Sequence, residues 1–504
     1  MNAVLASVPI VVALLLLLLR AGAVPAGAAA LTSAVLVAWL GFDVSAADVV
    51  TGQAEFAPVY LEVALILLGG VLLSRLLAVT GAQQRLGEWV TGVCADPARA
   101  VLLVVLGLVP FVESVTGFGV GAVIGVPLLV QFGFARARAA VLGLLGLVIV
   151  PWGSLGPGTL VAAKLSGVEF QQLGVYSAVL SLPVFLLSGG AAVLLGVGAR
   201  RAVTVLPELV VVLVALWGGV WAVNTVVGTP LAGLLGSLFA LAVVLTLARV
   251  REGGSLRLSR RTARDLLPYL LLIIGLLTAT LGVTAASVAD TGWATVLTSP
   301  ALWLLTTCVA TPTLLGRSLR TGVPAVPQAL RRWWPVAVTT VLFLAMGTLL
   351  AGSGMSAALA TAASRLDAAY PAVAPWVGGL GGFITGSNTG ASAMFATSQA
   401  QTAQAIGYPM LTMVALQNVA ASLTTMAAIP KVVLAGTLAR DTPAPTWHTP
   451  PRASGSRERH ATGITTTVDD TAVRVGTGQV LRVVLTVDIV ILVVLSAVAL
   501  LWPV

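Results

Sequence analysis

The chain has 504 residues, of which 58% are hydrophobic and only 9% charged, with a formal net charge of +9 at pH 7. Its mean hydropathy is +1.03. These values exclude an ordinary soluble domain and indicate a polytopic membrane protein. Nearly all of the positive charge is arginine, which marks the cytoplasmic side of a membrane when it lies on short loops. The basic balance therefore predicts contact with a lipid bilayer and no nucleic-acid partner.

The apolar first segment, "MNAVLASVPIVVALLLLLLRAG", resembles a signal peptide in length only. It has no basic residue before its apolar run and has Arg20 after it, so we expect a retained first helix. Further stretches of roughly 20 apolar residues predict about 12 transmembrane helices in an all-α fold. They lie near residues 4–19, 23–41, 56–79, 139–163, 173–198, 205–223, 229–248, 266–287, 293–316, 333–352, 408–430 and 483–503.

Arginine-rich segments alternate along the chain with segments poor in arginine. The basic ones include Arg20, Arg99, the run 249–264 and the run 317–332, and we expect them all to be cytoplasmic. The N-terminus is then outside. Residues 441–480 are rich in Thr, Pro and Arg and hold both histidines, and they are predicted to form a disordered cytoplasmic loop.

Two apolar stretches, 100–134 and 372–405, do not fit as simple spans. Arg99 precedes the first stretch and Arg136 follows it, so it enters and leaves on one face, as a re-entrant hairpin does. Its middle, "PFVESVTGFGVG", has the proline, glycines and polar residues of an unwound tip, which a bilayer tolerates only where backbone is buried in protein or lines a cavity. The second stretch has "FITGSNTG" at its middle and is predicted to open from the outside.

An internal repeat links the two hairpins. Gly81 and Gly354, Thr116 and Thr389, and Gly117 and Gly390 are each 273 residues apart (354 minus 81, for example). The same offset maps the first five spans onto the last five. We therefore predict two inverted repeats, residues 1–204 and 266–504, joined by connector helices and a basic cytoplasmic loop at 205–265.

Broken helices at mid-membrane are typical of secondary transporters, in which half-helix N-termini point at an anionic substrate. The tips also supply hydroxyls, an amide and glycines that allow close approach. The alternative is that these small residues only let helices pack closely. The predicted substrate-binding residues are Ser114, Thr116, Gly117, Phe118, Gly119, Thr385, Gly386, Ser387, Asn388, Thr389 and Gly390, and the predicted cavity-lining residues are Ser154, Gln417 and Asn418.

Three stretches resemble the lactate permease family, which includes glycolate permeases: "PFVESVTGFGVG" (110–121), "LGGFITGSNTGASAMF" (380–395) and "QTAQAIGYPMLTMVA" (401–415). The resemblance implies a proton-coupled importer of lactate or a related 2-hydroxymonocarboxylate in the plasma membrane. It also implies elevator-like movement of the hairpins, and its elevator-like relatives are often homodimers. The sequence departs from the family pattern in two places: Asn388 stands where an aspartate is usual, and a lysine common near the break of the late span is absent, with "TTMAAIPK" ending in Lys431 instead.

Glu113 is the one acid at a hairpin tip and the main candidate for proton coupling, because intramembrane acids are usually functional. The alternative is a structural acid that bonds the unwound backbone. Glu62 is a weaker candidate. Asp488 lies near the end of its predicted span, so we expect it to be solvated and do not include it.

Other classes of function are less well supported. No histidine lies in a span, Cys94 and Cys308 suggest neither a disulfide nor a metal site, and no GxxxxGK[ST] motif is present, so we expect no enzyme, no cofactor and no ATP-driven pump. The first alternative is a sodium-coupled di- or tricarboxylate symporter with Ser387, Asn388 and Thr389 oxygens as ion ligands. An anion channel is the second alternative, because hairpins also build filters.

Overall fold

A computed structural model describes residues 2–94, 96–117, 119–148, 152, 155–253, 257, 259–288, 291–443 and 476–502. In this part of the chain all regular structure is helical. Residues 444–475, most of the predicted disordered loop, lie outside the described residues.

The first half of the chain contains eleven helices. They are α1 (Asn2–Leu18), α2 (Ala23–Gly41), α3 (Ala46–Val79), α4 (Ala82–Thr91), α5 (Pro97–Val101), α6 (Val109–Thr116), α7 (Val120–Gln131), α8 (Arg136–Val148), α9 (Pro157–Ser166), α10 (Phe170–Leu180) and α11 (Leu182–Val197), with a π-helical stretch, Leu102–Leu108, joining α5 to α6.

The connector helices and the second half follow. They are α12 (Ala199–Val226), α13 (Thr229–Glu252), α14 (Arg260–Asp265), α15 (Leu267–Ala285), α16 (Gly292–Leu297), α17 (Pro300–Leu314), α18 (Ala325–Gly352), α19 (Met355–Ala363), α20 (Tyr370–Thr385), α21 (Asn388–Ala405), α22 (Met410–Thr424), α23 (Ile429–Asp441) and α24 (Thr477–Leu501), with short 3₁₀ turns at Leu319–Gly322, Ser364–Ala369 and Thr425–Ala427.

Nine helical segments within the described ranges are long and apolar enough to cross a membrane, or ten if the pair α10–α11, bent by 44°, is one span. This confirms an all-α polytopic membrane protein. The predicted count of 12 spans stays a prediction, because α1 and α17 have only 17 and 15 residues and the predicted span 139–163 is divided between α8 and α9. The last helix begins at Thr477, earlier than the predicted 483.

Both unusual apolar stretches fold back on themselves as helical hairpins. In the first, formed by α5–α7, a Cβ on Gly121 would lie 2.6 Å from the carbonyl oxygen of Val109, twelve residues earlier. In the second, formed by α20 and α21, a Cβ on Gly381 would lie 2.9 Å from the ring of Phe395. Such contacts cannot occur within one continuous helix, which rises about 1.5 Å per residue. Whether the hairpins are re-entrant, as predicted, depends on their position in the bilayer and stays a prediction.

Glycines end the first arm of each hairpin. Gly117 and Gly119 have φ of +68° and +79°, and Gly386 has φ of +66°. Side chains with a Cβ rarely adopt this region, whereas glycine does so at little cost, and it commonly terminates helices. The sequence thus breaks both helices locally at their tips.

Each hairpin is followed by an interrupted helix whose first half packs on that hairpin and whose second half packs on the other hairpin. α8 packs on α7 of the first hairpin, while its continuation α9 packs on α21 of the second. Similarly, α22 packs on α20 and α21, while α23 packs on α7 and α8. Pro157 is the first residue of α9 and Pro430 the second residue of α23, and the two prolines are 273 residues apart (430 minus 157). The interruptions therefore lie next to both tips.

Some elements of the two halves recur at the offset of the predicted repeat, which itself stays a prediction. Gly81 and Gly354 are both left-handed and directly precede the short helices α4 and α19. α5 begins at Pro97 and α20 at Tyr370, again 273 residues apart (370 minus 97). The inverted orientation of the two halves in a membrane stays a prediction.

The predicted orientation can be tested by cysteine labelling from each side of a sealed membrane. We expect Arg260→Cys to react only from the cytoplasm and Gly292→Cys only from outside, since both positions are exposed. The native Cys94 should not interfere, because burial raises the pKa of its thiol to about 12 and only the thiolate reacts. The reversed pattern of labelling would overturn the orientation of every loop.

Candidate functional site

A cavity of about 570 Å³ lies between the two hairpin tips. This volume is within the usual range for small-molecule sites. Its polar wall comes from the tips and from the second interrupted helix, and α2, α3 and α18 close the opposite side. The lining residues are Gly22, Ala23, Val24, Pro25, Leu67, Glu113, Gly117, Leu147, Pro157, Pro335, Val336, Thr339, Thr340, Thr385, Gly386, Ser387, Asn388, Thr389, Ser422, Thr425, Ala428, Pro430 and Lys431.

The second tip presents the N-terminus of α21 to this cavity. Ser387 caps the helix, because its Oγ accepts a hydrogen bond from the Gly390 backbone N–H at 3.3 Å. The Thr385 hydroxyl donates to the Gly381 and Ser387 carbonyl oxygens at 2.7 and 2.9 Å, which fixes the turn. A helix N-terminus favours a bound anion through its unpaired N–H groups and its dipole.

Asn388 is held from behind by a network of buried polar side chains. Its Nδ2 donates to Asn418 Oδ1 at 2.8 Å and to the Trp152 carbonyl oxygen at 3.3 Å. Asn418 Nδ2 in turn donates to Thr159 Oγ1 and Ser177 Oγ at 3.1 and 3.0 Å. The Asn388 Oδ1 is buried and has no hydrogen-bond partner among the described residues. The residue Asn388 lines the cavity, so this buried acceptor lies close to the cavity wall.

At the first tip, the carboxylate of Glu113 is hydrogen-bonded to the backbone of the tip itself. Glu113 is buried, and its two carboxylate oxygens accept hydrogen bonds from the backbone N–H groups of Gly119 and Gly121 at 2.8 and 2.9 Å. The carboxylate thus bonds the unwound backbone at the start of α7, as the structural alternative expected. Because Glu113 also lines the cavity, this geometry is compatible with a role in coupling as well.

Lys431 is the functional candidate that the sequence analysis missed. It lies in the first turn of α23, its Nζ donates to Thr425 Oγ1 at 3.0 Å, and it interacts electrostatically with Glu113. It is the one cation among the described residues of the cavity wall. The available signal was a lysine directly after the predicted span 408–430, since charges at the edge of or within a membrane span are often functional.

The structure brings only some of the predicted site residues to the cavity. Gly117 and all of Thr385–Thr389 line it, whereas the following are not among its lining residues: Ser114, Thr116, Gly119, Gly390, Gln417 and Asn418. The Thr116 hydroxyl donates to the Val112 carbonyl oxygen of its own helix at 2.7 Å. Phe118 and Ser154 lie outside the described residues. The binding roles of all these residues stay predictions.

The other two intramembrane acids lie away from the cavity. Glu62 accepts a hydrogen bond from Ser299 Oγ at 3.1 Å, which pairs α3 with the start of α17. The expectation that Asp488 is solvated was wrong, because its residue is only 1% exposed. The sequence places it near one end of an apolar run, but α24 begins at Thr477, so Asp488 lies in the middle of the helix.

Asn388→Ala should lower the affinity for substrate and leave the protein folded in detergent. A lost hydrogen bond to a charged ligand is worth roughly 1.5–3 kcal/mol, or about tenfold to a hundredfold in binding. Isothermal titration of purified protein measures the change. Thr116→Val should have little effect, because the Thr116 hydroxyl is already bonded within its helix. A large loss of affinity in Thr116→Val would show that Thr116 does contribute to substrate binding. Unchanged affinity in Asn388→Ala would show that Asn388 serves only in helix packing.

Comparison with known proteins shows the family of this chain. The model of the L-lactate permease family matches residues 2–260 and 284–440, which include both tips. An L-lactate permease of Streptococcus iniae is 24% identical over 400 residues, covering 72% of this chain and 82% of that protein. An L-lactate permease of Salmonella typhi is 44% identical over 63 residues, 12% of this chain and 11% of that protein. Glycolate permease GlcA of Escherichia coli is 33% identical over 94 residues, 18% and 17% of the two chains. The chain belongs to the L-lactate permease family.

Proposed function

We propose that this permease carries lactate or a related small 2-hydroxymonocarboxylate across the plasma membrane together with a proton. Membership of a permease family makes the chain a membrane transporter and not an enzyme. The observation that carries the choice of substrate is the charge on the cavity wall, where Lys431 is the one cation among the described lining residues.

A single ammonium group favours a single carboxylate. The ammonium of Lys431 would pair with the substrate carboxylate, and the α21 N-terminus at Ser387 would stabilise the same charge. A second carboxylate would meet Glu113 rather than another cation, and like charges repel each other strongly in a site of low dielectric. The wall therefore favours a monocarboxylate over a di- or tricarboxylate.

The 2-hydroxyl group of the substrate also has a partner in this proposal. Asn388 Oδ1 is a buried acceptor without a partner among the described residues, and the residue Asn388 lines the same cavity as Lys431. A substrate hydroxyl would satisfy it. A site built to bond a hydroxyl discriminates strongly against analogues that lack one, because a buried acceptor is then left unpaired. Lactate should thus be preferred over propionate.

The coupling proton is assigned to Glu113 in this proposal. Its carboxylate lies at the cavity wall and interacts with Lys431, the only lining cation in the described part of the chain. A change in the charge of Glu113 would therefore change the electrostatic energy of a bound anion. Protonation would remove the negative charge that competes with the substrate for Lys431. Substrate and proton would then bind together, which is the requirement for symport. No resident cofactor or metal is needed.

Movement between the two faces of the membrane is proposed to follow the elevator pattern. The hairpins and their interrupted helices form one packed group. The cavity lies between part of this group and α2, α3 and α18, while elsewhere α18 packs on α21 and α3 packs on α6. Gly22–Pro25 and Pro335 lie close in sequence to Arg20 and Arg332, which we assign to the cytoplasm. The conformation described here would then be open toward the inside. A homodimer, frequent among elevator carriers, is part of the same proposal.

Transport by purified protein in liposomes tests this function. Labelled lactate, glycolate and succinate should be offered under an inward proton gradient and, separately, an inward sodium gradient. We expect saturable uptake of lactate or glycolate driven by protons, with little uptake of succinate. Sodium-driven uptake of succinate would replace this proposal with the di- or tricarboxylate symporter. Non-saturable flux of anions in both gradients would identify a channel.

A further inference from the structure

Asp488 is a buried carboxyl group that the site described above does not use. Only 1% of the residue is exposed, and neither carboxylate oxygen has a hydrogen-bond partner among the described residues. The other acids of the described helices are exposed or bonded, as Glu62 is to Ser299 and Glu113 is to Gly119 and Gly121. Asp488 is thus exceptional among them and needs its own explanation.

The depth of Asp488 makes a charged form costly. It is the twelfth residue of α24, which has 25 residues from Thr477 to Leu501. At roughly 1.5 Å per residue it lies about 17 Å from one end and about 20 Å from the other. The hydrocarbon core of a bilayer is about 30 Å thick, so the carboxyl group lies near its middle. An unpaired carboxylate there is strongly disfavoured relative to the neutral acid.

Asp488 also lies at the level of the second hairpin tip. Ser496 Oγ donates to the Ala372 carbonyl oxygen at 2.7 Å, near the start of α20. One turn earlier in α24, Leu492 lies beside Gly379 in the middle of α20, where a Cβ on that glycine would be 3.2 Å from the leucine side chain. The two helices are therefore antiparallel, and one further turn brings Asp488 to the end of α20, beside the break. α24 also contacts the 3₁₀ turn Thr425–Ala427, which holds Lys431 through Thr425.

The titratable side chains on the surrounding helices either form hydrogen bonds with other residues or lie far along their helices from Asp488. The elements packed against α24 are α8, α11, α20, α22, α23 and the turn Thr425–Ala427. Their titratable groups are Arg136, Arg138, Tyr370, Lys431, Arg440 and Asp441, and α24 itself adds the exposed Arg482. Arg136 donates to the Thr442 carbonyl oxygen, Arg138 to that of Gly196 and Lys431 to Thr425. None of them forms a salt bridge with Asp488 within the described ranges.

We infer that Asp488 is a second proton-binding site of this carrier, separate from Glu113 and occupied by a proton in the conformation described here. The site lies behind the second hairpin, between α20, α24 and the turn that positions Lys431. A movement of the hairpin that admits water to this contact would allow the acid to ionise and release its proton. Proton release at Asp488 would then be linked to the movement of the hairpin, whatever role Glu113 plays.

Infrared spectroscopy tests the bound proton without any transport. The carboxylic-acid carbonyl band of purified protein in lipid should be present at neutral pH and should lose intensity in Asp488→Asn. Glu62→Gln, which removes a hydrogen-bonded acid of another helix, is the matched control for band assignment. A spectrum in which Asp488→Asn removes carboxylate intensity and leaves the acid band unchanged would overturn the inference.

The number of protons moved per substrate tests the link to transport. We expect Asp488→Asn to keep substrate exchange but to lower the proton-to-substrate ratio obtained from reversal potentials, and Asp488→Glu to restore it. An unchanged ratio in Asp488→Asn would exclude Asp488 from coupling and overturn this part of the inference. Failure of the proposed substrate is distinguishable, because wild-type protein would then show no lactate flux while the infrared result remained.

Discussion

Glu113→Gln should abolish uphill uptake of lactate in liposomes while exchange of labelled for unlabelled lactate persists. The amide imitates the protonated acid permanently, so the loaded carrier still crosses the membrane but the step that releases the proton is lost. Exchange needs only the loaded form, and it should lose its dependence on pH near neutrality. Both fluxes can be measured in the same preparation, with internal lactate absent for uptake and present for exchange.

The structural role of Glu113 predicts a different pattern in the same experiment. The carboxylate accepts hydrogen bonds from the Gly119 and Gly121 backbone N–H groups, and a glutamine has only one oxygen to replace two. If that bonding were its whole function, uptake and exchange would fall together and thermal stability would decrease. Glu62→Gln, off the cavity, is the control and should change neither flux. Intact accumulation in Glu113→Gln would eliminate this residue as the proton carrier.

Lys431→Gln should raise the Kd for lactate by about tenfold to a hundredfold, since a hydrogen bond between charged groups contributes roughly 1.5–3 kcal/mol. The substitution removes the ammonium that pairs with the substrate carboxylate, so that only the N-terminus of α21 remains to stabilise that charge. Binding measured by calorimetry and the concentration dependence of exchange should change together.

The chain offers a matched control for this substitution, because its sequence contains only two lysines. Lys164 is exposed in the last turn of α9 and does not line the cavity, so Lys164→Gln should bind lactate normally. Lys431→Arg keeps the charge with a different shape and should recover part of the affinity. An unchanged Kd in Lys431→Gln would remove the argument for a monocarboxylate and, with it, the main support for the proposed substrate.

The class of the protein and the positions of its broken helices could be predicted from the sequence alone. Both follow from local physics, since runs of apolar residues partition into a bilayer and glycines such as Gly117 and Gly386 readily adopt the positive φ at which these two helices end. The offset between Gly81 and Gly354 reappears as two left-handed glycines before two short helices. These features need no knowledge of which helices are neighbours.

The composition of the site depended on which helix faces meet, and that only the tertiary structure decided. Lys431 enters the cavity because α23 crosses to the first hairpin, and Asn388 meets Asn418 because α22 packs behind the second. Asp488 is buried because α24 packs against α20, although its sequence position suggested solvent. A hydropathy profile records how deep a residue lies but not its direction around the helix, and the pairing of buried polar groups depends on that direction.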